Sequence, residues 1–137
     1  MKKIRTVLLV DDSDATTFFN KTILSKTGYI DEILVAKNGL EALTIIKSGV
    51  VPDIIFLDIN MPVMNGWEFL EEFKNLNNAL ENTIIVLMIG APLSNEDKDR
   101  ILSFPQIKEF QGKMLSRIVM DDIMRKHYQE EFALLQS

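Results

Sequence analysis

The chain has 137 residues, no cysteine, and a formal net charge of −5 from 15 Lys and Arg against 20 Asp and Glu. This length predicts one domain with a substantial core, and the lack of thiols excludes disulfides, thiolate metal sites and cysteine nucleophiles while fitting a reducing cytoplasm. The acidic balance and the scattered basic residues argue against nucleic acid as a direct partner.

Five short, nearly continuous apolar runs predict strands that are covered on both faces, as in a parallel sheet. In chain order they are Ile4 to Val10, Ile33 to Ala36, Ile54 to Leu57, Ile84 to Ile89 and Ile107 to Phe110. The first run is interrupted by carboxylates after Val10, which makes it too short for a signal peptide or a membrane span. We therefore expect a cytoplasmic protein that has no membrane segment.

Five helices are predicted between and after these runs. Positions with helical spacing are, in chain order, Phe19, Ile23 and Lys26; Leu40, Leu43 and Ile46; Trp67, Leu70 and Phe73; and Leu115, Val119 and Ile123. Asn38 and the glycine Gly49 mark the two ends of the second helix, and Ser94 with Asp97 resembles a capping box for the fourth.

Strict alternation of strands and helices predicts an α/β fold, a doubly wound parallel sheet with helices on both faces. Ligands of such sheets bind beyond the carboxyl ends of the strands. Asp11 and Asp12 follow the first strand, and Asp58 lies at the same level on the third. Three crowded carboxylates destabilise a fold unless a cation neutralises them, and oxygen ligands without cysteine favour Mg²⁺ and phosphoryl chemistry.

The chain resembles the receiver domain of bacterial two-component response regulators, and most of all the single-domain receivers that include the chemotaxis receivers. The resemblance covers residues 4 to about 128. It rests on "LLVDDS", on "LDINMPVMNG" with the pattern D-x-x-M-P-x-M-x-G, and on Lys113 after the fifth strand. It implies a flavodoxin-like, five-stranded parallel sheet of order 2-1-3-4-5 with five helices.

The resemblance also implies a role for each matching residue. Asp58 is the phosphoacceptor, which takes a phosphoryl group from a phosphohistidine of a sensor histidine kinase or phosphotransfer protein. Asp11, Asp12, Asp58 and the backbone carbonyl of Asn60 are the expected Mg²⁺ ligands. Lys113 is expected to contact the phosphate, and an output protein of unknown identity is expected to read the signal.

Two positions depart from the family pattern. Met88 stands where the fourth strand normally ends in Thr or Ser, with Ile89 in the small position that follows, so no hydroxyl is expected at the phosphate. Met114 replaces the proline that normally follows the lysine in a cis bond. The loop must therefore either contain a strained bond or run trans and displace Lys113. Phe110 matches the aromatic switch residue of the fifth strand but has no phenol.

Three functions compete on these residues. The first is a phosphorylatable stand-alone receiver. The second is a degenerate receiver that binds a partner without phosphorylation, with weak coupling between the site and Phe110 because of Met88. The third is an enzyme, which is disfavoured because a haloacid-type phosphatase would have an aspartate at Asn60, and because no G-x-x-x-x-G-K-[ST] or G-x-G-x-x-G stretch occurs.

Simpler interpretations also exist for single residues. The acidic residues from Asp11 to Asp14 can serve only to cap the first helix, and Lys113 can be a solvated surface lysine. Trp67 and Phe73 are expected in the core rather than at a cofactor. His127, the sole histidine, is expected at the surface or in packing.

The tail after Tyr128 is interpreted separately, since a receiver can end there. Residues 1–128 are assigned to the receiver domain and 129–137 to an extension of the last helix or a tail. An apolar stripe runs on into the tail through Met120, Met124, Tyr128, Phe132, Leu134 and Leu135. The stripe either covers its own domain or forms a homodimer or partner surface.

Overall fold

The computed structural model describes residues 4–76 and 78–136, and within these ranges the chain forms five strands and six α-helices. The elements are β1 (Ile4–Val10), α1 (Asp14–Thr27), β2 (Ile30–Ala36), α2 (Gly39–Lys47), β3 (Ile54–Asp58), α3 (Gly66–Phe73), a 3-10 turn (Asn78–Leu80), β4 (Ile84–Met88), α4 (Asn95–Ile101), β5 (Ile107–Gln111), α5 (Arg117–His127) and α6 (Gln129–Gln136). Residues 1–3 of the predicted receiver segment and Ser137 of the predicted tail lie outside the described residues.

All neighbouring strands are parallel, and their order is β2-β1-β3-β4-β5. The predicted doubly wound sheet and its order are confirmed. The central position of β1 and β3 explains why their sequences are apolar almost without interruption, since both faces are covered. On β1, Val7 and Leu9 belong to the core beneath α1 and α5, whereas Leu8 and Val10 belong to the core beneath α2 and α3.

The buried face of α1 differs from the predicted one. Asn20, Leu24 and Thr27 are the buried residues of this helix, while Phe18 is 74% exposed and Phe19 is 38% exposed. Phe19, which helical spacing groups with Ile23 and Lys26, is therefore not on the buried face of the helix. The helix buries the amide of Asn20 instead, because this amide hydrogen-bonds to the backbone of the loop after β5.

The tail forms a helix of its own, so six α-helices replace the five predicted. α5 ends at His127 with Tyr128 as its C-cap, and α6 packs back onto the core beneath α1 and α5 through Phe132 and Leu135. The Phe132 ring meets Tyr29 edge to face with centroids 6.1 Å apart. Two apolar residues of the tail stripe thus cover their own domain. None of the helices in the described ranges has the length and apolar character needed to span a bilayer.

Candidate functional site

Three carboxylates meet at the carboxyl edge of the two central strands. β1 and β3 are neighbours with Val10 opposite Leu57, so Asp11 and Asp58, the next residues along, lie side by side. One carboxylate oxygen from each of Asp11, Asp12 and Asp58 lies within 4.8 Å of the others. Asp58 is 1% exposed and Asp11 is 7% exposed, whereas Asp12 faces solvent. The fold thus brings all three predicted carboxylates together.

Helix capping does not account for these aspartates. The N-cap of α1 is Ser13, whose Oγ accepts a hydrogen bond from the Thr16 backbone N–H at 3.2 Å. Asp11 Oδ1 accepts from the backbone N–H of Ser13 at 2.8 Å, one residue before the helix begins. The capping oxygen therefore comes from serine, and Asp11 and Asp12 are turned to the edge of the sheet.

The two oxygens of Asp58 have different surroundings. Oδ1 accepts from the backbone N–H of Ile59 at 2.9 Å and lies 2.8 Å from the ammonium nitrogen of Lys113. Oδ2 is buried and has no hydrogen-bond partner among the described residues. A buried charged oxygen without a partner is unfavourable unless a cation or donor reaches it. The Asp58 carboxylate, with one oxygen from each of Asp11 and Asp12 within 4.8 Å, fits the donor set of a hard divalent cation such as Mg²⁺.

Two of the groups around Asp58 have shifted pKa values. Burial raises the pKa of the Asp11 carboxyl above its ordinary value, and the charge of Asp58 adds to this, although the Ser13 N–H acts in the opposite direction. Partial burial acts to lower the pKa of the Lys113 ammonium, but the hydrogen bond and the charge of Asp58 outweigh it and raise the pKa. Lys113 is therefore charged at neutral pH, and a cation beside Asp11 would favour the ionised form of its carboxyl group.

The loop between β3 and α3 forms one wall of the site. Asn60 lies in this loop and lines a cavity of about 290 Å³ together with Asp58 and Met88. Gly66, which begins α3, packs so tightly on the end of β3 that a Cβ atom there would come within 2.6 Å of the Asp58 carbonyl oxygen. Only glycine permits this approach, which explains the last residue of the D-x-x-M-P-x-M-x-G pattern.

Met88 ends β4 in direct register with Asp58 and is 3% exposed. A thioether donates no hydrogen bond, so this strand end supplies no hydroxyl to the cavity. Thr83 immediately precedes the same strand and donates its hydroxyl to the Pro52 carbonyl at 2.7 Å. Ser94, in the loop that follows, uses its Oγ to cap α4. Both neighbouring hydroxyls are thus engaged away from Asp58.

The loop after β5 runs trans, as do all other peptide bonds of the described chain. Lys113 still reaches Asp58, so the expectation that a trans bond before Met114 displaces the lysine is wrong. In α1, the Asn20 side chain hydrogen-bonds to the backbone on both sides of Met114. Asn20 is not among the residues that the sequence predicted for the site. Its spacing to Leu24 and Thr27, the buried face of the helix, is the signal that could have identified it.

Two further predicted residues lie on the β5 and α5 side of the domain. Phe110 is 46% exposed on β5. His127 is half-buried, and its Nε2 lies 3.0 Å from Oε2 of the buried Glu109. The histidine therefore joins α5 to β5, in agreement with a packing role.

Comparisons with known proteins identify the family of the chain. The family model of the response regulator receiver domain matches residues 7–110. The chain is 39% identical over 94 residues to the protein-glutamate methylesterase/protein-glutamine glutaminase 2 of Methanospirillum hungatei, which covers 69% of this chain and 25% of the relative. It is 39% identical over 122 residues to the sensor histidine kinase CheAY of Helicobacter pylori, covering 85% of this chain and 15% of that protein.

A third relative is the nitrate/nitrite response regulator protein NarL of Escherichia coli, 28% identical over 124 residues, with 90% of this chain and 53% of NarL covered. The chain thus spans about half of NarL and a quarter or less of the other two relatives.

Solved structures show the same fold over almost the whole chain. A two-component response regulator from Cytophaga hutchinsonii superposes with a TM-score of 0.81 at 30% identity, covering 93% of this chain and 99% of that one. The chemotaxis protein CheY4 of Vibrio cholerae gives a TM-score of 0.75 at 26% identity, with 90% and 98% covered. Because the receiver model matches residues 7–110 and solved response regulators share the fold, the chain belongs to the response regulator receiver family of two-component signalling.

Proposed function

We propose that this chain is a receiver that accepts a phosphoryl group on Asp58 from a phosphohistidine of a sensor histidine kinase or phosphotransfer protein. A carboxylate oxygen of Asp58 attacks the phosphorus, the bond from phosphorus to the histidine nitrogen breaks, and the histidine leaves. The observation that carries the proposal is the buried carboxylate of Asp58: its Oδ2 has no partner among the described residues, its Oδ1 pairs with the Lys113 ammonium, and the carboxylates of Asp11 and Asp12 lie nearby.

The residues around Asp58 would offset the negative charge of the phosphate in two ways. Asp11, Asp12, Asp58 and the carbonyl of Asn60 would hold Mg²⁺. When bound, the ion supplies positive charge that offsets the repulsion between the carboxylates and the incoming phosphate. Lys113 pairs with Oδ1 of Asp58, and it would pair with an oxygen of the phosphate after transfer.

The proposal is tested by incubating the purified chain with radiolabelled acetyl phosphate and MgCl₂. We expect acid-stable, base-labile label on the wild-type protein, no label on Asp58→Asn, and no label when EDTA replaces MgCl₂. Asp99→Asn is the matched control, because it removes an exposed carboxylate of α4 and should label normally. Equal labelling of Asp58→Asn and wild type would contradict the proposal.

Met88 favours a second candidate, a degenerate receiver that binds its partner independently of phosphorylation. The thioether of Met88 cannot link a phosphate to Phe110 by a hydrogen bond, and Phe110 has no hydroxyl of its own. We therefore propose that phosphorylation is weakly coupled to the surface of α4, β5 and α5. Titration with beryllofluoride and Mg²⁺ tests this by NMR. Large chemical shift changes at Phe110 would contradict weak coupling and favour the switching receiver.

We further propose that the chain acts through protein contacts and not as an enzyme on a separate substrate. Asn60 stands two residues after Asp58, where a phosphatase of the haloacid type needs a second carboxylate. The methylesterase activity in the name of one relative belongs to a protein of which this chain matches 25%. A test is incubation with generic phosphate monoesters, for which we expect no release of phosphate above that of Asp58→Asn.

A further inference from the structure

The side chain of Asn20 joins α1 to the loop that carries Lys113. Its Nδ2 donates a hydrogen bond to the carbonyl oxygen of Lys113 at 2.9 Å, and its Oδ1 accepts one from the backbone N–H of Leu115 at 2.8 Å. The two contacts lie on either side of Met114. Asn20 is 3% exposed, its hydrogen bond to Leu115 is buried and that to Lys113 is partly buried, and the two together hold this loop against α1.

An amide is the group that this position requires. One end of the side chain must donate to a carbonyl and the other must accept from an N–H, which fixes the orientation of the amide. Leucine has nearly the same shape but neither function, and aspartate can only accept. Met114 itself is 54% exposed, so its side chain contributes little to holding the loop.

The loop position matters because it determines where the Lys113 side chain starts. With the Lys113 backbone held by Asn20, the ammonium nitrogen reaches Asp58 Oδ1 at 2.8 Å. Midway, the side chain passes over Gly90, where an added Cβ would lie 3.0 Å from Lys113 Cε. The backbone of Lys113 is thus hydrogen-bonded to Asn20, its aliphatic chain packs against Gly90, and its ammonium group pairs with Asp58.

We propose that Asn20 is a positioning residue for Lys113. It fixes the loop after β5, a role that we expected of the proline that Met114 replaces. The inference rests on the proposed function, since Lys113 matters only if Asp58 accepts a phosphoryl group. Asn20 touches neither Asp58 nor the phosphate in this scheme, and its effect on phosphorylation passes through Lys113.

The test compares Asn20→Leu and Lys113→Ala, alone and combined, by the initial rate of labelling with acetyl phosphate. We expect Asn20→Leu to lower the rate about tenfold, and the double variant to label as slowly as Lys113→Ala alone. Thr83→Val is the control, because it also removes a buried side-chain hydrogen bond, but at the opposite end of β4. It should lower Tm and leave the rate within about twofold of wild type.

Two results would overturn the inference. One is an unchanged labelling rate in Asn20→Leu. The other is that Asn20→Leu lowers the labelling rate by the same factor in the wild-type background and in the Lys113→Ala background. If the wild-type chain takes up no phosphate, the proposed function fails. The positioning role is then decided by crystal structures of wild type and Asn20→Leu. Lys113 against Asp58 in both would refute it, whereas a displaced Lys113 in the variant alone would support it.

Discussion

The ammonium nitrogen of Lys113 lies 2.8 Å from Oδ1 of Asp58, and this ion pair joins a lysine side chain that is 35% exposed to a carboxylate that is 2% exposed. The lysine neutralises a buried charge that a divalent cation at the same edge would also neutralise. Two cations that share one carboxylate repel each other. Lys113 should therefore weaken Mg²⁺ binding while it favours the phosphorylated product.

Replacing Lys113 by alanine should strengthen Mg²⁺ binding and slow phosphorylation. We expect the Mg²⁺ dissociation constant to fall about three- to tenfold, since one positive charge leaves a partly screened site. The fluorescence of Trp67, the single tryptophan, reports binding because this residue lines the same cavity as Asp58. Lys108→Ala, which removes an exposed lysine of β5, serves as the control and should leave the constant unchanged.

Replacing Asp11 by asparagine should stabilise the metal-free protein and remove its stabilisation by Mg²⁺. The pKa of Asp11 is raised in the fold, so its ionised form destabilises the protein, and this effect appears as pH rises through the folded pKa. In EDTA at neutral pH we expect a Tm higher by about 2 to 5 °C.

The pH dependence of the Tm difference tests this prediction. The difference in Tm between Asp11→Asn and wild type should narrow as pH falls, because wild-type Asp11 then becomes protonated as well. Thermal melts at several pH values, each with EDTA or MgCl₂, measure both effects. An increase in Tm with MgCl₂ as large as that of wild type would argue against Asp11 as a ligand.

Replacing Met88 by threonine should couple phosphorylation of Asp58 to Phe110 more strongly and should lower the stability of the fold. The shorter, polar side chain loses buried contacts, so the free energy of unfolding should fall by about 1 to 3 kcal/mol in urea titrations. The new hydroxyl ends β4 beside Asp58, and beryllofluoride should then shift the Phe110 resonances more than in wild type. Met88→Leu is the control, with similar volume and no hydroxyl. Equal shifts in all three proteins would refute the link to position 88.

Replacing Val63 by glycine should stabilise the loop beside the site. Val63 has φ of 67°, in the left-handed region that β-branched residues avoid, and it is 76% exposed. Relief of this strain should exceed the entropy cost of glycine by about 0.5 to 1 kcal/mol. Val51→Gly is the control: Val51 is 47% exposed and has no positive φ, so this variant should lose stability.

Removing the tail after Tyr128 should destabilise the domain without changing its oligomeric state. Phe132 contacts Tyr29 within the same chain, so the tail contributes to folding. Phe132→Ala should reduce the free energy of unfolding by about 1 to 3 kcal/mol, and Leu134→Ala, at a position 56% exposed, by less. Sedimentation velocity decides the alternative: a dimer that dissociates on truncation would make the tail a homodimer surface.

The sequence predicts the fold well because its signals are local. Runs such as Ile54 to Leu57 record burial on both faces, and the alternation with helices leaves few topologies. The strand order came from the family resemblance and not from periodicity. Phe19 shows the limit of this approach, since hydrophobicity alone placed it inward while the fold buries Asn20 instead.

What the sequence determined by itself is the chemistry at the edge of the sheet: Asp11, Asp12 and Asp58 at strand ends, and Met88 without a hydroxyl. Each follows from its position in one element, because the carboxyl ends of parallel strands meet at one edge. The tertiary structure alone decided how Lys113 is held and where the tail packs. Both depend on contacts between residues far apart in the chain, such as Asn20 with Lys113, which no local pattern encodes.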